Sequence, residues 1–149
     1  MEQTAREQTI TKHLTLYSDG GARGNPGPAA AACLITTENQ QVLMAKSRYL
    51  GIRTNNQAEY EALIMALEAA LALGAEEVTC YLDSELVTKQ LRGEYTVKNP
   101  ELQLLWSKTY TLRKQLKNAT FISVPRTNSQ IQKADKLVNE ALDKEANGT

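Results

Sequence analysis

Thr15-Leu16-Tyr17-Ser18-Asp19-Gly20 and Thr79-Cys80-Tyr81-Leu82-Asp83-Ser84 are two copies of one pattern, Thr-x-Tyr-x-Asp, each at the end of a strand-like run. Side chains alternate with period two along a strand, so in each run Thr, Tyr and Asp share a face and the residues between them take the other. If the two strands are parallel neighbours in register, their terminal carboxylates lie about one strand spacing apart, roughly 5 Å. Anions that close repel and raise each other's pKa unless a cation lies between them. This outlines a divalent-metal site, at the carboxyl ends of strands, where open sheets hold ligands.

Working outward, residues 13–18, 30–36 and 42–50 read as three strands. The Gly/Pro cluster 20–28 reads as a loop, and Glu38-Asn39-Gln40 as a turn, which gives an antiparallel meander. From Asn55 the period changes to that of an amphipathic helix, with Tyr60, Leu63, Ile64, Leu67 and Leu71 on one side. Asn56 and Glu59 have capping-box spacing, and Gly74 ends the helix. A strand at 78–82, helices at 84–91 and 101–117, and a strand at 120–124 follow. The last helix carries the stripe Ala134, Leu137, Val138, Ala141, Leu142. The order β-β-β-α-β-α-α-β-α predicts an α/β fold with a five-stranded mixed sheet. The first three strands form the meander, two further strands run parallel, and helices flank them. Residues 13–144 are expected to form one domain, with 1–12 a polar leader and 145–149 a loose tail.

Seventeen basic and seventeen acidic residues cancel, so net charge alone demands no polyanionic partner. That balance shifts towards positive if carboxylates hold divalent cations. Cys33 and Cys80 lie in separate apolar runs without C-x-x-C spacing and read as buried thiols. The N-terminus lacks an apolar signal core, and Glu59, Glu61 and Glu68 interrupt the longest apolar stretch, 58–73. A soluble, cytoplasmic protein with no membrane partner is expected.

Two more acids join the pair. Glu59 precedes Leu63 and Ala66 by four and seven residues, so it leans towards the sheet-facing side of its helix. Asp135 follows Ala134 at the start of the last helix, where the helix dipole could hold its charge. Singly, Asp19 reads equally as a turn residue, Asp83 as part of an N-cap, Glu59 as a capping-box partner and Asp135 as a first-turn acid. Together they come from elements that a five-stranded sheet brings to one edge.

The order Tyr17-Ser18-Asp19-Gly20-Gly21, Gly24-Asn25-Pro26-Gly27-Pro28, Thr54-Asn55-Asn56-Gln57-Ala58-Glu59, Asp83-Ser84, Val124-Pro125-Arg126 and Ala134-Asp135 resembles the signature of type 1 ribonuclease H. The resemblance spans nearly all of 14–142. It implies an endoribonuclease that hydrolyses the RNA strand of an RNA–DNA hybrid, leaving 5′-phosphate and 3′-hydroxyl ends. It implies two Mg²⁺ ions, with Mn²⁺ as a substitute, held by Asp19, Glu59, Asp83 and Asp135. Asp19 would be shared by both ions, Glu59 and Asp83 would serve the ion activating water, and Asp135 the ion on the leaving-group side. For substrate binding it points to Gly20, Asn25, Asn55, Asn56, Gln57, Ser84, Glu85 and Arg126, with Thr54 and Asn99 forming a pocket for a DNA-strand phosphate. Short polar groups suit 2′-hydroxyl recognition in a shallow minor groove. The glycine loop is read as small so that backbone can approach the RNA. The expected partner is a hybrid, with double-stranded RNA as a second candidate duplex, and the expected state is a monomer.

The chain departs from the family in three places. The loop histidine of many bacterial members is missing, since His13 is the sole histidine, and Arg126 or Thr127 stands in its region. The stretch 126–135 looks long, with Ile131 where an Asn is common. The lysine-rich protrusion of some members is reduced to 92–98. Two rival readings are a binding module that has lost its chemistry and an integrase-like or resolvase-like enzyme. The four acids argue against the first, and their order Asp, Glu, Asp, Asp against the second.

Overall fold

The repeated Thr-x-Tyr-x-Asp runs become neighbouring parallel strands. In a computed structural model that describes residues 13–148, β1 (His13–Ala22) pairs with β4 (Glu77–Leu82), Thr15 opposite Thr79 and Tyr17 opposite Tyr81. The two tyrosine rings stack at 5.2 Å, which fixes the register on that face. β2 (Gly27–Thr37) and β3 (Val42–Arg53) complete the antiparallel meander, and β5 (Asn118–Ser123) adds a parallel strand beyond β4. The sheet order is β3-β2-β1-β4-β5, the expected mixed sheet.

Helices cover both faces. On one lie α1 (Asn55–Ala72), α2 (Glu85–Leu91) and α3 (Pro100–Arg113), packed with Leu14, Leu16, Ile35, Leu63, Leu67, Val78 and Phe121 into the main core. On the other lies α4 (Ser129–Asn147), whose Ala134, Val138 and Leu142 meet Ala30 and Ala32. Ala29, Ala30, Ala31 and Ala32 are fully buried, and side chains this small let α1 and α4 approach both faces of β2 closely. Gln90 ties the layer on the α1 side together: its side chain accepts from the Tyr60 hydroxyl at 2.7 Å and its carbonyl from Trp106 Nε1 at 3.3 Å.

Several local expectations are corrected. The 20–28 loop is only the turn 23–26, because Gly20 to Ala22 and Gly27 onward are paired as strand, Ala22 opposite Ala29. The α1 capping box is formed by Thr54 and Gln57, two residues earlier than Asn56 and Glu59. This frees the Glu59 carboxylate from capping. α3 ends at Arg113 rather than Lys117, although Leu116 is still buried. α4 begins at Ser129 behind the N-cap Asn128, so the seemingly long stretch 126–135 is mostly helix, and Ile131 is a core residue against Tyr17 and Leu34. The same helix continues to Asn147, through the start of the expected loose tail. The leader 1–12 lies outside the described residues. Cys33 and Cys80 are free and buried. Among the described residues, no helix is long and apolar enough to cross a membrane.

Candidate active site

Asp19 ends the buried part of β1, and Asp83 follows β4 directly, so strand pairing alone brings their carboxylates together on the face that α4 covers. Glu59 arrives from the opposite layer. Its approach depends on Gly20, whose position faces α1: a Cβ there would lie 2.1 Å from the Ala58 carbonyl oxygen. With no side chain in the way, the first turn of α1 rests on the strand backbone, and the Gly20 N–H donates to Glu59 Oε1 at 3.0 Å. The glycine is therefore required by helix packing. Ligand atoms of Asp19, Glu59 and Asp83 all lie within 4.8 Å of one another.

Such crowding has an electrostatic cost. Burial, the charges of Asp83 and Asp135, and a hydrogen bond to Asp135 push the Asp19 carboxyl up to about 8. Burial, then Asp19 and Asp83, raise Glu59 well above the usual range, against the opposing Gly20 N–H and Arg126. Arg126 Nε donates to Asp83 Oδ2 at 3.3 Å, but its side chain is 91% exposed, so solvent screens much of its compensation. A cation among the three carboxylates would relieve this repulsion. Carboxylate oxygens are hard donors, and the set fits hard divalent ions that also bind phosphate.

Asp135 lines the same cleft and reaches Asp19, but from an exposed position on α4. It lies about two turns inside the helix rather than in its first turn, so the dipole does little for it. The cleft walls also include Gly20, Gly21, Asn55, Asn56, Ser84 and Arg126. A second cavity is lined by Asn25, Thr54, Gln57 and Asn99, and Asn56 borders both. Of the expected substrate residues, Glu85 alone lines neither.

Several of these side chains already have structural tasks. Asn25 Oδ1 accepts from the Asn55 N–H, and Asn55 Oδ1 accepts from the Ala22 N–H, both at 2.9 Å. The pair clasps the hairpin to α1. Gln57 caps with its oxygen and donates from Nε2 to Glu101 at 2.7 Å, so both ends of its amide are engaged. Ser84 and Asn99 cap α2 and α3. Sequence reading missed Arg23, Asn139 and Asp143. The signal was present, because Asp135, Asn139 and Asp143 are spaced by four and share one helix face.

Residues 17–141 match the family described as reverse transcriptase-like. The chain is 38% identical over 131 residues to the bifunctional protein Rv2228c of Mycobacterium tuberculosis, covering 87% of this chain and 35% of that one. It is 39% identical over 127 residues to the ribonuclease HI of Halobacterium salinarum, covering 85% and 63%. The chain thus spans between a third and two thirds of these relatives. Among solved structures it is similar to LC11-RNase H1 in complex with an RNA/DNA hybrid, at 42% identity and a TM-score of 0.84, covering 89% of this chain and 99% of that one.

Proposed function

Because the chain belongs to the type 1 ribonuclease H family, we propose that it is an endonuclease that hydrolyses the RNA strand of RNA–DNA hybrids at the Asp19, Glu59, Asp83 and Asp135 cluster. The observation that carries this reading is the meeting of Asp19, Glu59 and Asp83 within 4.8 Å, with Asp19 and Glu59 buried. No packing benefit offsets three acids gathered there, so the arrangement makes sense as a cation holder.

The four carboxylates would hold two Mg²⁺ ions, Mn²⁺ substituting, with Asp19 common to both. Bound cations would supply a nucleophilic water at neutral pH and neutralise charge on the departing 3′-oxygen, leaving 5′-phosphate and 3′-hydroxyl ends. The chain's own groups do the positioning. Asp19 and Asp83 are fixed by paired strands, and Glu59 by the Gly20 N–H. Asn55, Asn56 and Ser84 border the cleft beside the acids and offer short polar groups of the kind that 2′-hydroxyls need. The second cavity, with Thr54 and Asn99, is suited to a phosphate of the uncut strand, held without sequence preference. The protein acts as a cytoplasmic monomer in this reading.

The experiment is cleavage of an RNA–DNA hybrid beside matched duplex RNA and duplex DNA, with Mg²⁺, Mn²⁺ or chelator. Metal-dependent loss of the RNA strand of the hybrid, and none of duplex DNA, is expected. Tight hybrid binding without cleavage would instead identify a binding module, and joining of DNA ends an integrase-like enzyme.

A further inference from the structure

The fourth acid is held differently from the other three. Asp19 and Glu59 are buried and anchored by backbone, whereas Asp135 is exposed on a helix face, where an aspartate samples several rotamers. One turn further along α4, Asn139 Nδ2 donates to the Asp135 carbonyl at 3.0 Å and to its Oδ2 at 3.4 Å. Asn139 Oδ1 accepts from Arg23 Nη2 at 3.3 Å, and Arg23 Nη2 also donates to Asp143 Oδ1 at 2.7 Å. Arg23 belongs to the turn that follows β1, the strand carrying Asp19. Asp135, Asn139, Arg23 and Asp143 therefore form one chain of contacts across the cleft wall, from α4 to the hairpin.

The orientation of the Asn139 amide follows from its neighbours. A guanidinium can only donate, so the amide oxygen must face Arg23, and the NH₂ is left facing the Asp135 carboxylate. A carboxylate at 139 would keep the first contact and turn the second into repulsion. We infer that Asn139, oriented by Arg23, is a positioning residue that holds the Asp135 carboxylate towards Asp19 and thereby sets the cleft's affinity for divalent cations. The inference rests on the reading of the four acids as cation ligands. It is separable from hybrid cleavage, because cation binding is measured without substrate.

The test titrates Mn²⁺ into wild-type protein, Asn139→Ala, Asn139→Asp, Arg23→Ala and the Arg23→Ala/Asn139→Ala double variant, following the rise in unfolding temperature and the heat of binding. Cleavage of a hybrid is then measured against Mg²⁺ concentration. Outer partners of metal ligands commonly change affinity by about ten-fold or more. Each alanine variant should raise the Mn²⁺ midpoint by about that factor, and the double variant no further, since both act through one chain of contacts. Asn139→Asp should be weaker still. Unfolding without cation should barely move, as the contacts are exposed, and cleavage should recover at saturating Mg²⁺. A wild-type midpoint in Asn139→Ala, additive losses in the double variant, or a cleavage defect that saturating Mg²⁺ does not recover would each overturn the inference. Absence of Mn²⁺ binding by the wild type would do so as well. A wild type that binds Mn²⁺ with the expected variant pattern but leaves the hybrid intact would overturn the nuclease reading alone.

Discussion

Asp19 is 6% exposed, and burial with the charges of Asp83 and Asp135 pushes its carboxyl up to about 8, so in metal-free protein it is a destabilising group whenever it is ionised. The sign follows from linkage: a carboxyl whose folded pKa lies above its unfolded value binds more protons when folded, and stability falls as pH rises between the two values. Metal-free protein should lose unfolding temperature between about pH 4 and pH 8, and added Mg²⁺ should reverse the loss, as thermal melts with and without chelator will read. Flat stability over that range would contradict the crowded cluster. By the same argument Asp19→Asn should stabilise the metal-free protein at pH 7.5 by about 1–3 kcal/mol, which is several degrees in Tm. On the proposed activity it should also reduce cleavage by at least about 10³-fold. A variant that is active, or one that is inactive through unfolding, would count against the assignment. At this scale Asp19 and Asp83 were legible, because period-two alternation fixes where a strand's last side chain points. The pairing of Arg23 with Asn139 was not, because a turn residue and a helix residue more than a hundred positions on come together only in the folded chain.

The decisive join between elements is α1 resting on β1. Gly20→Ala forces a Cβ into the Ala58 carbonyl, which is backbone and cannot rotate away. It should cost about 1–3 kcal/mol by overpacking, towards the upper end, and should move Glu59 away from Asp19. Chemical denaturation will measure the stability loss. The Mn²⁺ midpoint should rise together with it, and a fully stable variant with wild-type cation binding would show that the contact relaxes without consequence. Thr54→Ala removes the N-cap of the same helix and should cost about 1 kcal/mol. The periodic elements could be read from the chain because apolar spacing declares them. Their ends could not: the Gly/Pro run resembled a loop, yet its small residues are paired as strand where helices press close from both faces. Similarly, Asn56 with Glu59 satisfied the capping pattern, but Thr54 with Gln57 satisfied it too, and only the latter leaves Glu59 for the cluster.

For the whole molecule, equal numbers of acidic and basic residues mean that affinity for a polyanion must come from local arrangement and bound cations rather than overall field. On the proposed activity, hybrid binding should therefore weaken by at least about ten-fold when chelator replaces Mg²⁺, which fluorescence anisotropy with wild-type protein on a non-cleavable duplex would measure; equal affinity in both would contradict it. The topology was readable as a whole because the order of strands and helices admits few sheets. What it could not supply was the way α4 closes the cleft. The account is tested most directly by incubating wild-type protein with a hybrid labelled on its RNA strand, at fixed pH, across a titration of Mg²⁺ from chelator to saturation. Cleavage of the RNA strand that is absent in chelator and rises with cation occupancy is predicted. An intact RNA strand at saturating Mg²⁺, or equal cleavage in chelator, would contradict it.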